Sequence, residues 1–112
     1  MLPKNARLSR QEFSTVFARP QKRTHFPECS IYYTPSPTFK ASVVVGKKVA
    51  KLAVVRNRLR REVYGALQTQ LFGDVDLQGN YIFIFKPSFA KLSKAKRQAV
   101  VSDLLAQNLK SR

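Results

Sequence analysis

The sequence predicts a single domain of the α+β class, with helices packed on a small mixed sheet. Three observations support this. The chain has 112 residues, enough for one modest hydrophobic core. Helical and strand patterns follow one another as helix, strand, strand, helix, strand, helix, with room for a further short strand in Thr24–Pro27. A strand, a long helix and another strand in succession imply a βαβ unit with parallel strands.

The first helix is expected over Ser9–Ala18. Ser9 and Glu12 have the spacing of a capping box, Leu8 and Phe13 that of a hydrophobic staple, and Pro20 opposes continuation. Cys29–Thr34 is rich in aromatic and β-branched residues and reads as a strand closed by Pro35 and Pro37. Ala41–Val45 reads as a second strand, and its run Val43-Val44-Val45 suits burial on both faces. From about Val49 to Leu71, Leu52, Val55, Leu59, Val63, Ala66 and Leu67 recur at three- and four-residue intervals, which predicts the longest helix, ended at Gly73. Asp74–Asn80 reads as a polar loop, Tyr81–Phe85 as a third strand and Ser93–Leu109 as a final helix with Val101, Leu105 and Leu109 inward.

Charge narrows the class of partner. Lys and Arg number 21 against 6 acids, a formal net charge of +15. That much self-repulsion destabilises a free domain, so a polyanion is the expected counterpart, nucleic acid first and an anionic membrane second. Cys29 is the only cysteine and permits no internal disulfide. No apolar run approaches a membrane span or a signal segment, so a soluble, cytoplasmic protein is expected.

The cations are concentrated. Lys47, Lys48, Lys51, Arg56, Arg58, Arg60 and Arg61 fall within fifteen residues that contain no acid. With Leu59 at the centre of the buried stripe, Arg58, Arg61 and Lys51 project from one flank of the helix, Arg56 and Arg60 from the other, and Asn57 points away from the core. Arg presents a donor fork suited to phosphate oxygens, and Asn both donates and accepts, as a base edge or ribose hydroxyl requires. A merely solvated face would pair its cations with acids at i±4, and only Glu62 stands nearby.

Gly46-Lys47-Lys48-Val49-Ala50-Lys51 followed by Arg56-Asn57-Arg58-Leu59-Arg60-Arg61 resembles the protein component of bacterial ribonuclease P. The likeness extends to Leu8–Phe17, Ile31–Thr34 and Asn80–Pro87, most of the chain. The resemblance implies a left-handed βαβ crossover, against the usual right-handed rule. It also implies that Lys47, Lys48, Lys51, Arg56, Asn57, Arg58, Arg60 and Arg61 meet ribonuclease P RNA. Phe13, Phe17 and Tyr33 would line a cleft for the single-stranded leader of precursor tRNA. The bond-breaking would belong to the partner RNA, with Mg2+ at the RNA site and none on the protein, and no further protein partner is required. Two positions and one short stretch depart from the family pattern: Gly46 replaces a frequent Ser, Tyr64 a frequent Arg, and Ala18-Arg19-Pro20 the usual spacer after the first helix.

The remaining residues offer no protein-borne chemistry. The acids Glu12, Glu28, Glu62, Asp74, Asp76 and Asp103 are scattered, and no zinc spacing, phosphate loop or Ser-His-Asp set occurs. His25 reads as a loop residue, Cys29 as a small buried hydrophobe, and the Asp74/Asp76 pair as solvated loop. On spacing alone Phe13, Phe17 and Tyr33 suit either a core or an aromatic wall, while Tyr81, Phe83 and Phe85 suit the core. The alternative to a ribonuclease P subunit is a non-enzymatic basic RNA-binding protein such as a ribosomal protein.

Overall fold

The computed structural model describes residues 2–73 and 76–111. A 3-10 turn at Lys4–Ala6 precedes α1 (Arg10–Ala18), β1 (Lys22–His25), β2 (Cys29–Thr34), β3 (Phe39–Val44) and α2 (Ala53–Gly73). Then follow β4 (Leu77–Phe85), the one-turn α3 (Pro87–Ala90), α4 (Lys94–Asn108) and the two-residue β5 (Lys110–Ser111). The main sheet runs β1-β2-β4-β3, and β5 pairs antiparallel with the start of β4. β1/β2 and β2/β4 are antiparallel, whereas β3/β4 is parallel, so the expected mixed sheet and βαβ unit are present with α2 as the connection.

The start of α1 forms as its sequence dictates. The Ser9 N–H donates to Glu12 Oε1 at 2.9 Å and the Glu12 N–H donates to Ser9 Oγ at 3.1 Å, both halves of a capping box. Several boundaries differ from expectation, each for a local reason. β1 begins at Lys22 rather than Thr24, because its pairing with β2 starts at Lys22↔Tyr33. β4 begins at Leu77, inside the expected polar loop. There Leu77 is buried and Gly79, paired with Phe39, supplies a φ of +110° beside the Tyr33 and Tyr81 rings, where a Cβ would come within 2.5 Å of Tyr33. Gly79, not the expected cap Gly73, is thus the glycine with positive φ among the described residues.

α2 starts at Ala53, not Val49. The Val49 and Ala50 N–H groups both donate to Gly46 O, which closes a turn over 46–50, and Leu52 is 64 % exposed rather than part of the buried stripe. Pro87 does not merely stop β4 but opens the one-turn α3, at the start of a helix where its missing N–H costs nothing. β3 alternates instead of being buried on both faces: Val43 and Val45 are buried and Val44 only partly, as befits an edge strand.

The register sorts the sheet into two faces. Phe39, Ala41 and Val43 share one face with Tyr81, Phe83 and Phe85 and with Cys29, Ile31 and Tyr33. This face carries the main core, closed by Leu59, Val63 and Leu67 of α2 and Val101, Leu104 and Leu105 of α4. Tyr32, Ile82, Ser42 and Lys40 occupy the other face, which α1 covers. Glu12 of α1 pairs with Lys40 at 2.7 Å, Phe17 stacks on Tyr32, and Val16 and Ile82 are buried outside the main core cluster.

Two polar contacts lock α2 in place. The Val43 N–H of edge strand β3 donates to the Tyr64 hydroxyl at 3.1 Å. Glu62 grips Arg97 of α4 bidentately: Arg97 Nε donates to Oε2 and Nη2 to Oε1, both at 2.9 Å, while Nη1 donates to Leu92 O at 2.7 Å. Tyr64→Phe strands the buried Val43 N–H and is expected to cost about 1–2 kcal/mol, read by urea unfolding. Acid titration tests the carboxylates. Lys40, then the Ser9 N–H, hold Glu12 well below its ordinary value of 4.5, at about 2, and Arg97 likewise lowers Glu62. Groups depressed in the folded state stabilise it above about pH 4.5, and that contribution is lost as pH falls toward 2. The melting temperature should therefore drop through this window, and less steeply in Glu12→Gln and Glu62→Gln.

Candidate nucleic-acid interface

The cationic segment divides into a turn and a helix. Lys47, Lys48 and Lys51 are exposed in the turns before α2, not on the helix, so the flank assigned to Lys51 is corrected by the later helix start. Arg56, Asn57, Arg58, Arg60 and Arg61 lie on the first turns of α2. Leu59 between them is 1 % exposed and faces the sheet, which leaves Asn57, Arg58 and Arg61 exposed and Arg56 and Arg60 half-covered. The order of cations around the helix is as the spacing implies. Arg58 and Arg61 face α4, lining a depression with Glu62, Lys94 and Arg97, while Arg60 lies by Asn57 and Tyr64 on the other side.

These cations are not equally free. Arg56 Nη1 donates to Ala50 O at 3.0 Å and to Lys51 O at 2.7 Å, so this guanidinium ties the lysine turn to the helix. Arg60 donates to Asn57 Oδ1 and so orients its amide, whereas Arg61 Nε donates to the Asn57 backbone carbonyl at 3.4 Å. Arg58 donates to no group among the described residues. Glu62, the one acid near the arc among the described residues, gives both oxygens to Arg97 and hydrogen-bonds none of the arc's cations. Leu52 and Val54 stand 64 % and 66 % exposed beside the lysines, so the turn presents aliphatic groups as well as charge.

The aromatic residues fall into two groups. Phe13 and Phe17 stack at 5.9 Å, Phe17 stacks on Tyr32 at 5.5 Å, and Arg23 lies 5.5 Å over the Tyr32 ring. Tyr33 is not part of this wall. It sits on the opposite face of the sheet, 5.0 Å from Tyr81 and beneath Lys110, because consecutive strand residues alternate. Tyr32 therefore takes the place expected of Tyr33, and the alternation of β2 was the available signal for it. Phe17 is 48 % exposed, so its ring keeps an open edge or face.

The minor expectations resolve simply. Tyr81, Phe83 and Phe85 are core, and Cys29 is fully buried, with burial pushing its thiol up to about 12. His25 lies on β1 rather than in a loop, its Nδ1 2.8 Å from Ser30 Oγ. Asp74 lies outside the described residues, and among the described ones no group of three or more His, Cys, Asp or Glu could hold a metal. Among them, too, no helix is long and apolar enough to cross a membrane. Of the departures from the family pattern, Tyr64 has its hydroxyl engaged by Val43, and a Cβ at Gly46 would meet nothing within 4 Å, so nothing steric requires glycine there.

Comparison with known proteins agrees with the sequence resemblance. The Ribonuclease P family profile matches residues 2–108. A ribonuclease P protein component from Pseudanabaena sp. (strain PCC 6903) is 39% identical over 66 residues, 56% of this chain and 57% of that protein, so the match spans little more than half of either. The fold is similar to that of Staphylococcus aureus RNase P protein, with TM-score 0.78 at 15% identity over 91% of this chain and 94% of that one. A mutant of the same S. aureus protein, described as defective in mRNA degradation activity, gives TM-score 0.80 at 16% identity over 93% and 88%. The family match sets aside the ribosomal-protein alternative: the chain belongs to the ribonuclease P protein family.

Proposed function

We propose that this chain is the protein subunit of a ribonuclease P holoenzyme, an endonuclease that removes the 5′-leader of precursor tRNA. The observation that carries the reading is the exposed cationic start of α2, left without carboxylate partners by the Glu62–Arg97 pair. Lys47, Lys48, Lys51, Arg58, Arg60 and Arg61 neutralise phosphates of ribonuclease P RNA, and counterion release drives assembly. Asn57, its amide oriented by Arg60, meets a base edge or a ribose hydroxyl. Phe13, Phe17 and Tyr32 form the wall against which leader bases stack, with Arg23 at its rim.

Catalysis on this reading resides in the RNA, where Mg2+ would bind. The chain contributes charge neutralisation and leader positioning, requires no other protein partner and acts in the cytoplasm.

The test is to mix the protein with ribonuclease P RNA and follow leader removal at low Mg2+. Unchanged rate and unchanged precursor affinity on adding the protein would refute the reading. Within the complex, Phe17→Ala should weaken leader binding by about 1–3 kcal/mol per stacked base, roughly 5- to 150-fold, and leave RNA assembly intact. Arg58→Ala should weaken assembly with the RNA and leave protein stability within about 0.5 kcal/mol. Arg56→Ala should weaken assembly and also lower stability by about 1–2 kcal/mol, because it unties the lysine turn. Equal melting temperatures for the two arginine variants would refute that distinction.

A further inference from the structure

The depression between α2 and the start of α4 contains more charge than the fold uses. It encloses about 600 Å3 and is lined by Arg58, Arg61, Glu62, Lys94 and Arg97. Glu62 gives both oxygens to Arg97, whose side chain is only 11% exposed, so this pair is internally balanced. Arg58, Arg61 and Lys94 remain, all exposed, with no carboxylate between them to spare. Lys94 is the first residue of α4, a helix of fifteen residues whose N-cap, Ser93, accepts the Lys96 N–H at 3.3 Å. The positive end of the α4 dipole therefore adds to the same field. Lys94 and Arg58 both lower the Glu62 carboxyl, after Arg97 and in that order, so both act on the same point of the depression.

We propose that this depression is a phosphate site for RNA, in which Arg58 and Arg61 of α2 and Lys94 of α4 hold one backbone phosphodiester. The proposal rests on the RNA-binding reading above and extends it to a second helix. Two guanidinium forks supply directed donors to the phosphate oxygens, and the Lys94 ammonium supplies a point charge from the opposite wall. Glu62 and Arg97 do not touch the phosphate. They are positioning residues that hold the first turns of α4 against α2 and so fix the width of the site. Without RNA, three cations line the depression against the single Glu62 carboxylate, already bonded to Arg97, so their repulsion costs the free protein stability that a bound phosphate restores. Arg61 also borders the depression formed with Asn57, Arg60 and Tyr64, so the surface continues around α2 without a break.

The full-length protein is titrated with ribonuclease P RNA over a range of salt concentrations, using wild type, Lys94→Ala, Lys96→Ala, Arg58→Ala and the double variant Lys94→Ala/Arg58→Ala. Thermal melting of each free protein confirms folding. Lys96 serves as the control because it lies about 200° around α4 from Lys94 and is exposed. Lys94→Ala should reduce the slope of log K against log salt by about 0.7–0.9 and weaken binding roughly five- to ten-fold at 0.1 M salt. Its free form should melt no lower than wild type. The double variant should lose less than the two single losses combined, since both groups serve one phosphate. Three results would overturn the proposal: unchanged affinity in Lys94→Ala while Arg58→Ala weakens binding, equal losses in Lys94→Ala and Lys96→Ala, or strict additivity in the double variant. The first of these leaves the RNA-binding reading standing. Unchanged affinity in Arg58→Ala as well would remove both.

Discussion

Burial of Leu59, Val63 and Leu67 against the sheet is the constraint from which the rest of the surface follows. A helix that commits this stripe to a sheet of Val43, Tyr81 and Phe83 has no rotational freedom left, and every other position on its first turns is assigned a direction. Arg58 and Arg61 emerge on the α4 side, Arg60 on the other, and Asn57 outward. Rotating α2 to hide the arginines would expose three side chains that together contribute on the order of 5 kcal/mol of burial. The basic surface is therefore maintained by its apolar underside.

Glu12 and Glu62 fix geometry between elements and form no salt bridge with the arc. Glu12 completes a capping box and reaches Lys40 on β3, which ties α1 to the sheet face it covers. Glu62 lies one residue beyond Arg61 yet is turned to Arg97, a largely buried guanidinium that would be costly to leave unpaired. Both ion pairs couple one element to another and leave the guanidinium of Arg58 without a salt bridge among the described residues. On the RNA-binding reading, a polyanionic partner would relieve the resulting repulsion.

The two faces of the sheet divide the labour. One is filled with aromatic and branched side chains and closed by α2 and α4; the other is crossed by α1, which buries Val16 and leaves a ladder of Phe13, Phe17 and Tyr32 toward solvent. Adjacent tyrosines on β2 consequently have opposite fates. Tyr32 joins the open ladder and Tyr33 packs on Tyr81. Tyr64 marks a similar division on α2, where its hydroxyl serves the edge of β3.

Much of this was legible in the residues because the signals are local. The Ser9–Glu12 cap, the periodic stripe through Leu59 and Leu67, the aromatic run of β4 and the acid-free cluster of Lys and Arg each depend on neighbours within a few positions. By themselves they determined the fold class, the helix that bears the arginines and the flanks from which those arginines project. The tertiary structure alone decided what depends on distant partners. It decided that α1 covers the Tyr32 face, because strand alternation offers two faces and names neither as the one a helix will cover. It decided that Leu77–Asn80 becomes strand, because the pairing partners of that stretch lie on β2, β3 and β5. It decided that Glu62 answers to Arg97, thirty-five residues away, and so leaves Arg58 and Lys94 facing one another across a gap that no sequence spacing could reveal.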